Sequence, residues 1–473
     1  MPIRVRNLSN EMDPLTHALL PPPDETTEQR EARLHKEREA KLISDNIDEQ
    51  LAEQKLAERR SPKAVKILLL GQSESGKSTT LKNFQLMYEP KAFRNERASW
   101  RAVIQLNVVR SFHLILDAVD RSQSMEDIDY HIPPISPDLL KLKMRLSPLL
   151  QVEETLLHRL TPLGSGETEA TQFSYADRPR ALLREIAVNS ATQWKDAFNR
   201  WKLGPKCRES IASSDIVDWD DPNDPGAVLH ACSEDMIKLW NDTDVRELLR
   251  TQNMRLEELA GFFLDSLERV TSLRYVPTDD DILRARLKTL GVTEHRFRIS
   301  AGSSLWRDWR IFDVGGHRSQ VRAAWAPYFD DMAAIIFLAP ISCFDQVLAE
   351  DPTVNRLEDS VHLWKSIVSN KLLQYTNLIL FLNKIDILHM KLAAGIKLAD
   401  FVVSYGDRPN DFDNVSAYLR RKFAGILKEC SPTKRIFYCH LTTVTDTKST
   451  KLILSNLREM VMRTSLEQTS LIN

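Results

Sequence analysis

Gly71-Gln72-Ser73-Glu74-Ser75-Gly76-Lys77-Ser78 follows directly on the apolar, β-prone run Val65-Lys66-Ile67-Leu68-Leu69-Leu70 and leads into a helix-compatible stretch from Thr79 to Gln85. Strand, glycine-bounded loop and helix, in that order, make a phosphate-binding P-loop. The residue types suit the chemistry. Gly71 and Gly76 let the backbone N–H groups of Glu74, Ser75 and their neighbours through Thr79 curl around phosphate oxygens, Lys77 supplies positive charge, and the Ser78 hydroxyl is a ligand for Mg²⁺. A ligand-free Gly/Ser turn is the bland alternative, and the flanking strand and helix weigh against it. A nucleotide is expected, bound at the edge of an open α/β sheet.

Asn383-Lys384-Ile385-Asp386 bears on the base. It closes a second buried-strand run, Leu378-Ile379-Leu380-Phe381-Leu382, at the carboxyl end where open α/β sheets bind ligands. The Asp386 carboxylate can accept hydrogen bonds from guanine N1–H and its 2-amino group, whereas adenine offers no such pair of donors. Alone, four residues of this kind are as often a surface turn. A third strand-end motif, Asp313-Val314-Gly315-Gly316 after Trp309-Arg310-Ile311-Phe312, supplies the missing context. Asp313 is placed to hold Mg²⁺ through water and the Gly316 N–H to meet a γ-phosphate, a contact that makes this segment an order/disorder switch.

With these three motifs in this order, the chain resembles the α subunits of heterotrimeric G proteins. Small GTPases lack the long helical insertion between the P-loop and Asp313, which closes with Tyr275-Val276-Pro277-Thr278 and Asp281-Ile282-Leu283-Arg284-Ala285-Arg286-Leu287-Lys288-Thr289. The resemblance implies that this last string is switch I. Leu283 and Arg284 then lie at the nucleotide, Arg286 is an arginine finger supplied in cis, and Thr289 is a Mg²⁺ ligand beside Ser78 and Asp313. It continues through Leu348-Ala349-Glu350-Asp351, Asn355-Arg356 and Thr442-Thr443-Val444-Thr445-Asp446-Thr447, and covers roughly residues 40–120 and 230–473. The implied ligands are GTP, GDP and Mg²⁺. The implied partners are a βγ dimer, a seven-transmembrane receptor and an effector.

Four departures from the family pattern stand out. His317 replaces the glutamine that orients the attacking water, and Ser73 replaces a glycine beside it; together with Glu74 these residues surround the hydrolysis chemistry, and slow turnover is expected. Val444 replaces an alanine against the guanine ring, and two added methyl groups in a packed slot cost about 1–3 kcal/mol, so GDP is expected to be held loosely. Met1-Pro2 replaces the Met-Gly of myristoylation and no cysteine precedes Cys207, so no intrinsic lipid anchor is expected. The family cysteine near the C-terminus is replaced at Thr469.

The fold expected is a Ras-like P-loop GTPase domain with a mostly parallel sheet (62–94 and 284–473). An inserted all-α domain (95–283) and a leader with a charged N-terminal helix (1–61) complete it. Breakers such as Pro133-Pro134, Pro137, Pro148, Pro162 and the run Asp218 to Pro225 suggest an insertion of loops and short helices at about 121–230. From Glu28 to Arg60, Leu34, Leu42, Ile43, Ile47, Leu51 and Leu56 recur at helical spacing; a solvated helix would show the same pattern, and the resemblance implies a seat for βγ. Of 473 residues, 42% are hydrophobic and 27% charged with a net charge of −2, which makes no case for nucleic-acid binding. Five scattered cysteines imply neither a disulfide framework nor a metal site, and no apolar run of about eighteen residues suggests a membrane span. A cytoplasmic protein, peripheral on the inner face of the plasma membrane through βγ, is expected. Two functional classes stay open: a cycling signalling GTPase, and a guanine-nucleotide-binding scaffold with negligible hydrolysis.

Overall fold

The computed structural model describes residues 26–60, 64–124, 136–160, 187–189, 224–252, 254–290, 292–300, 306–315, 332–348 and 351–468. The chain divides into two compact units, Met1–Lys63 and Ala64–Asn473. In the first, the described residues form a helix from Thr27 to Arg60. Leu42, Ile43, Ile47, Leu51 and Leu56 are all exposed along it, and Arg33 pairs with Glu37 one turn on.

In the second unit the strands are β1 (Val65–Gly71), β2 (Ala187–Asn189), β3 (Lys288–Leu290), β4 (Val292–Ser300), β5 (Trp306–Val314), β6 (Ala334–Pro340), β7 (Asn377–Asn383) and β8 (Tyr438–Thr442). Six of them form one sheet in the order β4-β5-β1-β6-β7-β8. Only β4 and β5 run antiparallel; the remaining neighbours are parallel. The runs Ile67 to Leu70, Ile335 to Leu338 and Leu378 to Leu382 are almost wholly buried, as central parallel strands covered on both faces require. One face packs Ile67, Leu69, Ile336 and Phe381 on Phe84, Leu454, Leu457 and Val461, from the P-loop helix (Lys77–Tyr88) and the C-terminal helix (Thr447–Gln468). The other packs Leu68, Phe337 and Leu380 on Trp364 and Phe423. β2 and β3 pair separately and in parallel, with Val188 opposite Thr289.

A second core lies among the helices between β1 and switch I. Val103, Leu106, Val109 and Phe112 of the long helix Arg97–Ser124 meet Leu149, Leu156, Leu229, Met236 and Leu239. This long helix contains a stretch long and apolar enough to cross a membrane by composition, contrary to the sequence expectation, but 67% of that window is buried inside the protein; it is a core helix. The first part of the expected insertion of loops and short helices holds two helices. Residues Pro137–Arg145 and Pro148–Leu160 are helices whose Leu139, Leu146, Leu149, Val152 and Leu160 are buried in this core. Pro137, Pro148 and likewise Pro225 open helices, where a missing N–H costs nothing. The rest of the expected insertion, apart from β2, lies outside the described residues until Asp224, which caps the helix Pro225–Asn241.

The helical and sheet lobes meet in an ionic cluster. Lys391, 2% exposed, bonds Asp345 at 2.5 Å and Glu258 at 2.8 Å. Arg255 bridges the same two carboxylates, and Gln346 donates to Glu258. Removing one partner from such a buried group leaves charge uncompensated. Lys391→Met, which keeps the length of the side chain, is expected to lower unfolding free energy by about 3 kcal/mol, measured by urea denaturation; a loss under about 0.5 kcal/mol would show that Arg255 alone holds both carboxylates.

Candidate functional site

The parallel strands bring their carboxyl ends to one edge of the sheet. Gly71 lies opposite Leu338, Leu69 opposite Asp313, and Asn383 opposite both Pro340 and Thr442. The P-loop leaves β1 and enters its helix at Gly76, whose φ of 102° is left-handed. A Cβ there would meet Asn383 Nδ2 at 2.4 Å and Val444 Cγ2 at 2.9 Å, so glycine is required by both conformation and space. Glu74 also has a positive φ, 59°, which a non-glycine residue adopts at a cost.

Asn383 ties three loops together. Its Nδ2 donates to Ser75 O at 2.8 Å, and its Oδ1 accepts from Val444 N at 3.2 Å and from Thr442 Oγ1 at 3.1 Å. Asn83 of the P-loop helix donates to Val444 O. Asp386, exposed on the first turn of the helix Ile385–Ala393, accepts from Thr443 Oγ1. Lys384 takes a left-handed φ of 63° between them, and burial pushes its ammonium below the usual lysine range. Val444 is 5% exposed and packs with Leu338 and Leu454. Its methyl abuts the P-loop.

Around the phosphate end of the site the charges are paired among themselves. Lys77, 6% exposed, donates to Gly71 O and Gln72 O; burial pulls it down to about 8, against the pull of Asp313. Ser78 Oγ donates to Asp313 Oδ2 at 2.7 Å. Asp313 Oδ1 is buried with no hydrogen-bond partner, and burial raises this carboxyl above the usual range despite Lys77 and Ser78. An orphaned carboxylate oxygen beside a hydroxyl is a pair of hard oxygen donors of the kind Mg²⁺ takes, completed by waters and phosphate. Among the described residues no group of three or more His, Cys, Asp or Glu could hold a metal, so these two oxygens fit a shared ion and not an all-protein cage.

Glu74 faces two arginines. Arg286 Nη2 lies 2.5 Å from Oε1 and Arg356 Nη1 3.3 Å from Oε2, while Arg356 Nη2 donates to Ser73 O. Burial pushes the Glu74 carboxyl up, but Arg286, Arg356 and Lys384 outweigh it and hold the group at about 2. Leu283 is buried, with its carbonyl accepting from Thr79 Oγ1 at 3.4 Å. Arg284 is drawn to the helical lobe, bonding Phe262 O and Asp265. Thr289 lies on β3; its side chain, and the whole of Gly316 and His317, fall outside the described residues. Arg356 is the participant that motif reading left unassigned. It sat in a quoted string, but only the fold brings it 282 residues back to Glu74.

Residues 41–461 match the family model described as G-protein alpha subunit. The chain belongs to the G-protein α subunit family. Similar proteins include the guanine nucleotide-binding protein alpha-4 subunit of Mycosarcoma maydis, 30% identical over 97% of this chain and 96% of that one. Others are the alpha-1 subunit of the same organism, 30% identical over 92% and 98%, and a guanine nucleotide-binding protein subunit alpha of Candida albicans, 28% identical over 91% and 95%.

The Glu74 cluster ties the P-loop to Arg286 and Arg356. Glu74→Gln would remove the carboxylate that these two guanidiniums share. GDP release from this variant is expected to quicken on the order of tenfold, about 1.4 kcal/mol, in a labelled-GDP chase; an unchanged rate would mean that the pair does not retain nucleotide.

Proposed function

We propose that this Gα is a cycling molecular switch: it binds GDP with a βγ dimer, exchanges it for GTP under a seven-transmembrane receptor, acts on an effector, and resets by hydrolysis. The observation that carries the reading is the Asn383 network, in which one buried amide joins the P-loop to the strand end that bears Asp386 and to the Val444 loop. The proposed base and phosphate subsites thereby share one register, which is what specificity for one nucleotide needs.

The roles follow from the chemistry of each group. Backbone N–H groups of Glu74 to Thr79, at the N-terminus of a 12-residue helix, favour phosphate oxygens. Lys77, held by the Gly71 and Gln72 carbonyls, can turn its ammonium to phosphate. Ser78 and Asp313, with Thr289, would hold Mg²⁺, which when bound neutralises charge on the phosphate oxygens. Arg286, freed from Glu74, reaches the transferring phosphoryl group, and His317 orients the water. Ser73, whose carbonyl is fixed by Arg356, narrows the space for that water, so turnover is slow. The exposed apolar stripe of the helix Thr27–Arg60 is the proposed seat for βγ, which would also carry the chain to the inner face of the plasma membrane.

Selective binding of GTP and GDP over ATP in the presence of Mg²⁺ tests the nucleotide assignment directly. Asp386→Asn is expected to shift preference toward xanthine nucleotides, since the amide presents a donor to the 2-oxo group; comparable affinity of the wild type for ATP and GTP would overturn the assignment. For hydrolysis, single-turnover measurement should find His317→Gln faster than wild type. A variant no faster would make histidine a competent substitute.

A further inference from the structure

We propose that Asn107, on the long helix of the helical lobe, is a positioning residue that fixes the main chain of Arg286 for its action on the transferring phosphate. The inference rests on the reading of Arg286 as the arginine supplied in cis. Residues 285–287 connect the helix Asp279–Arg284 to β3 and belong to neither, so no helix or strand ladder satisfies the N–H and C=O of Arg286. The Asn107 amide does both: Arg286 N–H donates to Oδ1 at 2.8 Å, and Nδ2 donates to Arg286 O at 3.0 Å. The two bonds also fix which way the amide points, since only the oxygen can accept from an N–H.

Two further observations show that the surroundings are shaped for this clasp. Gly261 has a φ of +83°, and a Cβ there would lie 2.8 Å from Asn107 Oδ1 and 3.0 Å from Arg286 Cβ; the residue leaves the room that the pair occupies. On the opposite side, Lys82 of the P-loop helix donates to Ile282 O and Ala285 O, each at 2.8 Å, with its ammonium 4.1 Å from the centre of the Trp100 ring. The residue before Arg286 is thus held by the sheet lobe and Arg286 itself by the helical lobe. Asparagine is a poor helix former, yet it stands in the interior of a 28-residue helix, 8% exposed. Holding the backbone matters because the guanidinium is on a long, rotamer-rich chain; play at its root adds to the freedom lost when it docks.

A double-mutant cycle on the full chain separates positioning from general structural support. Single-turnover GTP hydrolysis is measured for wild type, Asn107→Ala, Arg286→Ala and the double variant. The affinity for GDP with fluoroaluminate, a mimic of the transferring phosphoryl group, is measured in parallel and keeps the comparison readable where turnover is slow. Stoichiometric GTPγS uptake checks the fold. Asn107→Ala is expected to lower the rate roughly 10- to 100-fold in the wild-type background and less than about twofold once Arg286 is alanine, because a residue acting through Arg286 has nothing left to act on. An equal loss in both backgrounds, or no loss in the first, overturns the proposal. Asn107→Asp preserves shape and the acceptor for Arg286 N–H but cannot donate to Arg286 O; it decides the same cycle should the alanine variant fail to take up GTPγS. If Arg286→Ala alone hydrolyses as fast as wild type, the role of the arginine itself falls, an outcome distinct from a cycle in which Arg286→Ala is slow and Asn107→Ala is not.

Discussion

The side-chain amide of Asn383 is the constraint on which the rest of the site depends. It is fully buried, so its donor and acceptor must be satisfied inside the protein, and its partners come from two other segments: Ser75 from the P-loop, and Thr442 and Val444 from the end of β8 and the loop that follows it. Replacing any partner leaves buried polar groups unpaired at a cost of about 1–3 kcal/mol each. The close approach of Gly76 to both Asn383 and Val444 follows from the same network. Base and phosphate recognition are therefore not independent modules on a scaffold. A shift of the P-loop is felt at the strand end that carries Asp386.

Charge in the site is arranged around two carboxylates with opposite tendencies. Glu74 is drawn below the ordinary range because Arg286, Arg356 and Lys384 outweigh its burial; Asp313 is pushed above it because burial outweighs Lys77, Lys82 and the Ser78 hydroxyl. The first is a satisfied anion that keeps arginines in place, and the second is an under-satisfied one that gains from a cation. This difference suits Glu74 to pairing with protein charge and Asp313 to the proposed Mg²⁺ role, although the two lie at the ends of adjacent strands.

The motifs that build the site were legible in the sequence because their chemistry is local: a loop that must take positive φ needs glycine, and a strand buried on both faces reads as an uninterrupted apolar run. The topology of the sheet followed from three strand-end motifs separated by helical stretches. Less legible was anything in which one residue serves a distant partner. Arg356 gives no local sign that it meets Glu74, and Asn107 looks like an unfavourable choice within a helix until Arg286 is beside it. The prolines depend on context in the same way. Pro137 and Pro148 break a helix at any position but its first turn, and position within the turn depends on the capping residue before them, as Ser136 before Pro137 shows. The polar, breaker-rich stretch beyond Leu160 carries neither period nor motif, so composition alone could not resolve it.

Arg286 connects the two lobes by opposite ends. Its main chain is fixed to the helical lobe at Asn107, while its guanidinium is paired in the sheet lobe with Glu74. A second ionic contact, Lys391 with Glu258 and Asp345, lies between the same lobes. Separating the lobes at these points would break both contacts, together with the Lys82, Arg255 and Gln346 bonds that also cross between them. Any open form would be disfavoured by the loss of these contacts less the hydration regained. A partner that promotes exchange cannot do so by binding tightly alone: it must bind the open form better than the closed one by a comparable free energy. Surfaces that change between the two forms, and not the exposed helix Thr27–Arg60 by itself, are where such a partner has to make its difference.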